Sequence, residues 1–586
     1  MPIRWNNIGL NAEALIYGKS KRRNQQIKKL LAILLVLALS LGMLPMALAD
    51  EPTVLTIGSI ITKRDLDKNV LIQRIAEKLN AKIEFTYYDT DQYSVMLTDG
   101  TLPDIMLSKY EYLQNVLASG LALNIEPYID ELMPNLRSPL YANTIKLQQT
   151  LFPTEDNGVY FICPAVGIWN AKGGDGQYRG YIVRWDYYKE IGAPEINNDE
   201  DYLNALLKMY ENHPVNENGK PNYPMGVYGN LKNMGGYRAS FLTDVAVNLW
   251  SSTYFFKSSI YDGELINCYT NTERSSYWKD IAFYNKVYRT GLFDEDIFTM
   301  SGDEYDAKVA EGRYMGIHYV DSALYDNEVK KNPETLAGYV VVPSKGSILY
   351  ADCMLMMGNA PTYHAFINAK SANKELAMKF YNELYDPDFN REMYSGVKGV
   401  DWDYDANGVP YMFPETLKKI ADKDESFMGA GYHSRDPYLT AYNPSCLHPD
   451  GYPLDLLEIS TARADSQNYL ERDYAAHYGV NYWVDAMYNT MLNDSTDPGE
   501  TVMLALVEIP TERKRVMDNC NDILYQAMPS LIQAESDEEF AEIQADVIAQ
   551  LNELNVEEQY QWYKEQWAPA NELARPFFEA YAAQYK

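Results

Sequence analysis

"YIVRWDYYKEIGAPEINNDEDYLNALLKMY", residues 181–210, changes character twice along its length. Tyr181–Arg184 is apolar and β-prone, and Gly192-Ala193-Pro194 reads as a turn. Asn198 is a suitable N-cap, and Asp199, Glu200 and Asp201 place acids in a first helical turn, where the helix dipole favours them. Leu203, Leu206, Leu207 and Tyr210 then recur at i, i+3, i+4, i+7, one apolar face of a helix. A strand–turn–helix unit therefore begins at Tyr181.

An earlier stretch repeats the scheme. Val54–Ile61 is an apolar run, and Leu71, Ile75, Ala76 and Leu79 recur at helical spacing. Ala81–Tyr88 is β-rich, a helix is expected near Tyr93–Leu97, a short strand at Asp104–Leu107 and a further helix at Tyr110–Ala118. Strands alternating with helices predict an α/β domain with a largely parallel sheet. Ligands of such sheets sit at the carboxyl ends of strands, so Ser59–Lys63, Tyr88–Asp91 and Leu107–Tyr110 are candidate loops. His364–Ile367 reads as a short strand, followed by a helix with Leu376, Ala377, Phe380, Tyr381 and Leu384 on one face. From about Ile523 to Lys586 the chain is helical and acidic, and reads as an external layer.

At 586 residues the chain exceeds one hydrophobic core. Its net charge of −31 repels nucleic acid and anionic membrane surfaces, and serves solubility. The 50 tyrosines suit surfaces that hold sugars or peptides, and ordinary cores equally. Lys19, Lys21, Arg22, Arg23, Lys28 and Lys29 precede the apolar run Leu30–Leu44 and the small-residue pattern Ala47-Leu48-Ala49. This is an export signal, cleaved before Asp50, with residues 1–18 fitting a start codon set too early. No cysteine lies beside the cleavage point, so a lipid anchor is not expected there. Cys163, Cys268, Cys353, Cys446 and Cys520 are widely spaced and suit neither a disulfide framework nor a zinc ribbon; they read as small buried apolar groups.

Several segments occur in a recognisable order. They are "TDGTLPDIMLSKYEYLQNVLASGLALNIEPYIDELMPNL" (98–136), "YFICPAV" (160–166), "YIVRWDYYKEIG" (181–192), "YRTGLFDEDIF" with "VAEGRYMGIHYV" (288–298, 309–320), and "HAFINAKSANKELAMKFYNEL" (364–384). Together they resemble a bacterial extracellular solute-binding protein of the family 1 type, the capture component of an ABC importer for sugars or oligosaccharides. The resemblance covers roughly residues 50–560. It implies an α/β, two-lobed periplasmic-binding-protein-like fold of type II, hinged between the lobes, with extra C-terminal helices. The expected division is a signal at 1–49, first lobe at 50–165, second lobe at 166–345, return to the first at 346–440, return to the second and hinge at 441–521, and a helical layer at 522–586. Where the family has a basic-Asp-Trp order, this chain has Arg184-Trp185-Asp186, which bears on the face the indole occupies.

Sugar recognition needs flat apolar faces for C–H surfaces and polar groups for hydroxyls. Trp169, Asn170 and Tyr178 follow the first crossover in a Gly-rich segment and are ligand candidates, against the alternative of a solvated loop. Trp250 is a candidate by family position, against core packing. Asp104, at a strand start, and Trp402, on a predicted hairpin, complete the set, each with a packing role as its alternative. Asp401, Asp403, Asp405 and Asn407 alternate like the first ligands of an EF-hand, but Ala406 and Met412 stand where it needs Gly and Glu. Asn407-Gly408 instead predicts a hairpin turn, and no metal or cofactor is expected.

The six histidines form no H-E-x-x-H, and G-x-S-x-G, Walker A and G-x-G-x-x-G are absent. The expected function is a non-catalytic receptor, monomeric and extracellular, with a carbohydrate or other small solute and ABC permease subunits as partners. The alternatives are the same fold binding a peptide or lipid-like solute, or a secreted glycoside hydrolase or lyase with a carboxylate pair. Turnover separates the last from the first.

Overall fold

The computed structural model describes residues 51–61, 69–163, 180–227, 238–243, 255–259, 263–318, 331–348, 363–424, 446–491, 502, 506–507 and 509–582. In chain order the strands are β1 (Thr53–Ser59), β2 (Ala81–Tyr87), β3 (Ile105–Lys109), β4 (Tyr181–Arg184), β5 (Tyr223–Gly226), β6 (Phe256–Ser258), β7 (Leu265–Asn267), β8 (Tyr314–Ile317), β9 (Tyr339–Val342), β10 (Tyr363–Ile367), β11 (Trp402–Tyr404) and β12 (Pro410–Met412).

The first sheet has the order β10-β3-β1-β2. β1 and β3 are parallel, with Ile57 opposite Ile105, and β10 adds antiparallel to β3, with Tyr363 opposite Lys109. Side chains alternate between faces along a strand. Ile105 and Leu107 of β3, with Ala365 and Ile367 of β10, enter one core; Met106 and Phe366 enter another on the opposite face. The covering helices are local. Val70–Lys78 is capped by Asn69, which accepts from the amides of Leu71 and Ile72, and buries Leu71, Ile72, Ile75 and Ala76. Thr90–Asp99 begins with a capping box between Asp89 and Gln92.

The second sheet has the order β5-β8-β4-β9. β5 and β8 are parallel, and β4 lies antiparallel to both β8 and β9, with Tyr181 opposite Val342. The helix Asp199–Asn212 is capped by Asn198 as its sequence predicts, but its buried face is Tyr202, Ala205, Leu206 and Met209. Leu203, Leu207 and Tyr210 are only half-buried. The Tyr202 hydroxyl donates to the Ile182 carbonyl at 2.6 Å, anchoring that side of the helix to the sheet.

The C-terminal helices are Thr511–Gln533, Asp537–Glu553 and Val556–Ala582. They begin earlier than expected and reach deeper than an external layer. Leu524, Met528, Leu531, Ile532, Leu551 and Trp567 belong to the second core. Polar contacts lock them in place: Tyr277 donates to the Leu524 carbonyl at 2.8 Å, and Asn285 to the carbonyls of Ile532 and Ala534.

Trp185, at the start of the helix Trp185–Glu190, is fully buried, and its indole donates to Asp473 at 2.8 Å. Arg184 pairs with Asp186, so the tryptophan faces the core and the ion pair stays beside it. Asp405 accepts from the amides of Asn407 and Val409 in the β11–β12 turn, where Gly408 has φ +80°, the predicted hairpin. Cys163, Cys268, Cys446 and Cys520 are buried; Cys353 lies outside the described residues. Among the described residues no helix is long and apolar enough to cross a membrane.

Candidate functional site

Register places the two sheets' loop-bearing edges. In the first sheet the carboxyl ends of β1 and β3 lie at the same edge as the amino end of β10. Ile162 bridges Ala365 antiparallel, so the chain leaves this sheet at that edge through Cys163. In the second sheet the amino end of β4 shares an edge with the carboxyl ends of β5, β8 and β9. The chain enters there at Tyr181 and leaves there after Val342, to re-enter the first sheet at Tyr363. Residues 164–180 and 343–362 therefore each connect one edge to the other. In α/β sheets this is the edge where ligands bind.

At the first edge the hydroxyls are already engaged. Ser59 accepts from the Ile61 amide at 3.0 Å, and Ser108 accepts from the Tyr93 hydroxyl at 2.8 Å. Tyr88 and Tyr110 are half-buried there. Tyr110 contacts Phe152 and His364 with ring centroids 5.6 and 5.7 Å apart, and burial raises its phenol above the ordinary range. Tyr141 accepts from the Cys163 amide at 3.1 Å, and Tyr385 donates to the Cys163 carbonyl, holding the point of departure.

At the second edge a short 3₁₀ turn, Ala239–Leu242, is clasped from below. Asp280 accepts from the amides of Arg238 and Ala239 at 3.1 and 2.9 Å. The fully buried Arg238 pairs with Asp199 at 2.7 Å and Asp280 at 3.1 Å. Burial alone disfavours the Arg238 charge; the two carboxylates more than offset it and hold the guanidinium protonated. Phe241 packs edge-on to Tyr181, centroids 4.8 Å apart, and its carbonyl accepts from the Ile348 amide at 2.8 Å. The segment after β9 is thereby tied to the segment ending at Thr243.

Trp169, Asn170, Tyr178 and Trp250 lie outside the described residues. Asp104 lies at the amino end of β3, the opposite end of the sheet from the connections. Its carboxylate accepts from the Thr56 amide and hydroxyl at 2.9 and 2.8 Å, from Ser371 at 2.6 Å and from Asn373 at 3.4 Å. Burial disfavours its charge, but these donors, led by Ser371, hold the carboxyl below its usual range. It braces β1 to the segment after β10. Trp402 is buried among Met412, Leu417, Ile420 and Leu456, and donates to the Gly396 carbonyl at 2.8 Å. The structure thus brings neither Asp104 nor Trp402 to these edges. The loop spans Tyr88–Asp91 and Leu107–Tyr110 were anticipated; Tyr88 and Tyr110 as aromatic groups of the edge were not. Their signal is an aromatic residue directly after an apolar strand.

No family model matches the chain. A fructooligosaccharide ABC transporter substrate-binding protein, FusA of Streptococcus pneumoniae, is 23% identical over 279 residues, covering 45% of this chain and 48% of that protein. The match therefore spans about half the length of this curated relative. The solved structure of FusA in complex with kestose matches with a TM-score of 0.54 at 15% identity, over 91% of this chain and 100% of that one. An HMO-binding ABC-transporter-associated solute-binding protein from Bifidobacterium longum infantis matches with a TM-score of 0.56 at 16% identity, over 89% of this chain and 100% of that one. The fold is that of the two-lobed solute-binding proteins. The resemblance read from sequence segments thus holds in three dimensions, and the proteins it points to are binding proteins.

Proposed function

We propose that the chain is the extracellular solute-binding receptor of an ABC importer, which captures an oligosaccharide between its two lobes and passes it unchanged to the permease. One observation carries the reading: the chain leaves each sheet, and enters the other, at the edge that holds the carboxyl ends of that sheet's parallel strands. A solute held there touches both sheets, and hinge closure follows from the connections on which they turn. The similarity to FusA and to the HMO-binding protein supports a saccharide as the solute. Trp169, Asn170 and Tyr178, in the first connection by sequence, and Trp250, in the segment following Thr243, supply the stacking faces and amide. The first lobe comprises 50–165 and 346–440, with Cys446 and Leu454 still in its core; the second comprises 166–345 and is rejoined from Leu470. The receptor acts as a monomer after export.

Calorimetric titration of the chain from Asp50 onward, against neutral oligosaccharides, peptides and lipid-like solutes, tests this. Saturable binding of a saccharide recovered intact is the expected result. Shortened saccharide products would make the protein an enzyme, and saturation by a peptide or lipid alone would change the cargo.

A further inference from the structure

We infer that the second lobe carries a hydroxyl-lined subsite for ring hydroxyls of an uncharged saccharide, built from Thr243, Ser344 and Ser347. The inference rests on the receptor reading and assigns part of its site.

Ser344-Lys345-Gly346-Ser347 follows directly on β9, at the edge from which the second connection departs. The Ser347 amide donates to the Ser344 carbonyl at 3.3 Å, and Gly346 has φ +79°, the left-handed value that the third position of a type II turn requires. The turn leaves Lys345 exposed at its tip and turns both serines inward. Ser344 is 2% exposed, Ser347 1% and Thr243 6%. Among the described residues none of the three hydroxyls has a hydrogen-bond partner. A buried hydroxyl is normally paired, and one left unpaired disfavours the folded state until something satisfies it. Three such groups stand on two segments joined by the Ile348–Phe241 hydrogen bond. The equivalent edge of the first sheet is different: Ser59 and Ser108 both have partners within the protein.

The chemistry of the three groups selects the ligand. A hydroxyl both donates and accepts, as a ring hydroxyl does. A uronate or phosphorylated sugar needs a cation, and the buried cation on these segments, Arg238, is already matched to Asp199 and Asp280. The same clasp fixes the turn that ends at Thr243, so the hydroxyls are held in place before ligand arrives.

The test titrates the chain from Asp50 onward with kestose, maltotriose, xylotriose and galacturonic acid trimer, then repeats the tightest neutral probe on Thr243→Val, Ser344→Ala and Ser347→Ala. Each variant is expected to bind about tenfold more weakly, the size of one hydroxyl pair. Without sugar each melts at or above the unaltered chain, because an unpaired buried hydroxyl has been removed. Unchanged affinity, or a melting point lowered without sugar, overturns the subsite and assigns the hydroxyls to internal water. Preference for the galacturonic acid trimer also overturns it. If no saccharide binds the unaltered chain, the receptor reading itself falls, and that result is distinct from retained affinity in the variants.

Discussion

The two sheets solve the same problem with different material. Both are four-stranded, and both send and receive the connecting chain at the edge that holds the carboxyl ends of their parallel strands. The first is covered by helices close to its strands in sequence, and its edge hydroxyls are satisfied internally. The second takes much of its core from the C-terminal helices, is braced by a buried ion triad, and leaves edge hydroxyls without partners among the described residues. One lobe is covered by helices next to its own strands, while the other depends on the far end of the chain and holds polar groups in reserve.

The largest expected effect breaks that dependence. Truncation after Pro510 removes Leu524, Met528, Leu531, Ile532, Leu551 and Trp567 from the second core. At roughly 2 kcal/mol per buried apolar side chain, the loss is comparable to the whole stability of a typical domain, about 5–15 kcal/mol. Hydrogen exchange is expected to show lost protection over 181–342 with protection kept in β1 and β3. Equal loss in both sheets would erase the distinction.

Next come the two braces. Arg238→Ala removes the buried cation that Asp280 and Asp199 share, at a cost of about 3–5 kcal/mol. Asp104→Ala removes an acceptor shared by Thr56, Ser371 and Asn373, where about 2 kcal/mol is expected because the carboxylate lies nearer solvent. Denaturant titration of both variants ranks them; the reverse order would contradict the account of the second lobe.

The acid limb sharpens the comparison from the other side. Donors hold the Asp104 carboxyl below its usual range. Asp450 is also held low: burial opposes its charge, but Arg391, Tyr404 and the Tyr452 amide outweigh it. A carboxyl depressed in the folded state stabilises above its unfolded value, near pH 3.9, and that stability is lost as pH falls through the folded value. Both residues brace the half of the chain built on the first sheet. Thermal midpoints should fall below about pH 4, and Asp104→Asn and Asp450→Asn should flatten that fall.

The smallest effect compares single hydroxyls. Ser108→Ala strips the buried Tyr93 hydroxyl of its acceptor, at about 1 kcal/mol. Ser344→Ala removes no hydrogen bond among the described residues and is expected to cost nothing in the sugar-free chain. A matching loss in both would mean that the two edges are alike.

The order of elements was largely legible, because it rests on local signals. Apolar runs gave β1 through β4, Asn198 marked a helix start, and Asn407-Gly408 marked the hairpin. What escaped depends on partners remote in sequence. The buried face of Asp199–Asn212 is set by Tyr202 reaching Ile182. Asp104 finds its role through Ser371 and Asn373, which no spacing rule connects to it. The C-terminal helices look acidic and external because their polar faces dominate the composition, yet their inner faces fill the second core. Nothing in the sequence Pro343-Ser344-Lys345-Gly346-Ser347 marks its serines as buried, and only the fold shows them turned inward. The aromatic candidates Trp169, Tyr178 and Trp250 fall outside the described residues, so their place remains part of the proposal.

Small-angle scattering, recorded on the chain from Asp50 with and without a saturating neutral oligosaccharide, tests the receptor reading most directly. The account predicts a smaller radius of gyration on saturation, as two lobes draw together on the sugar. Identical profiles from the free and sugar-saturated protein would contradict it.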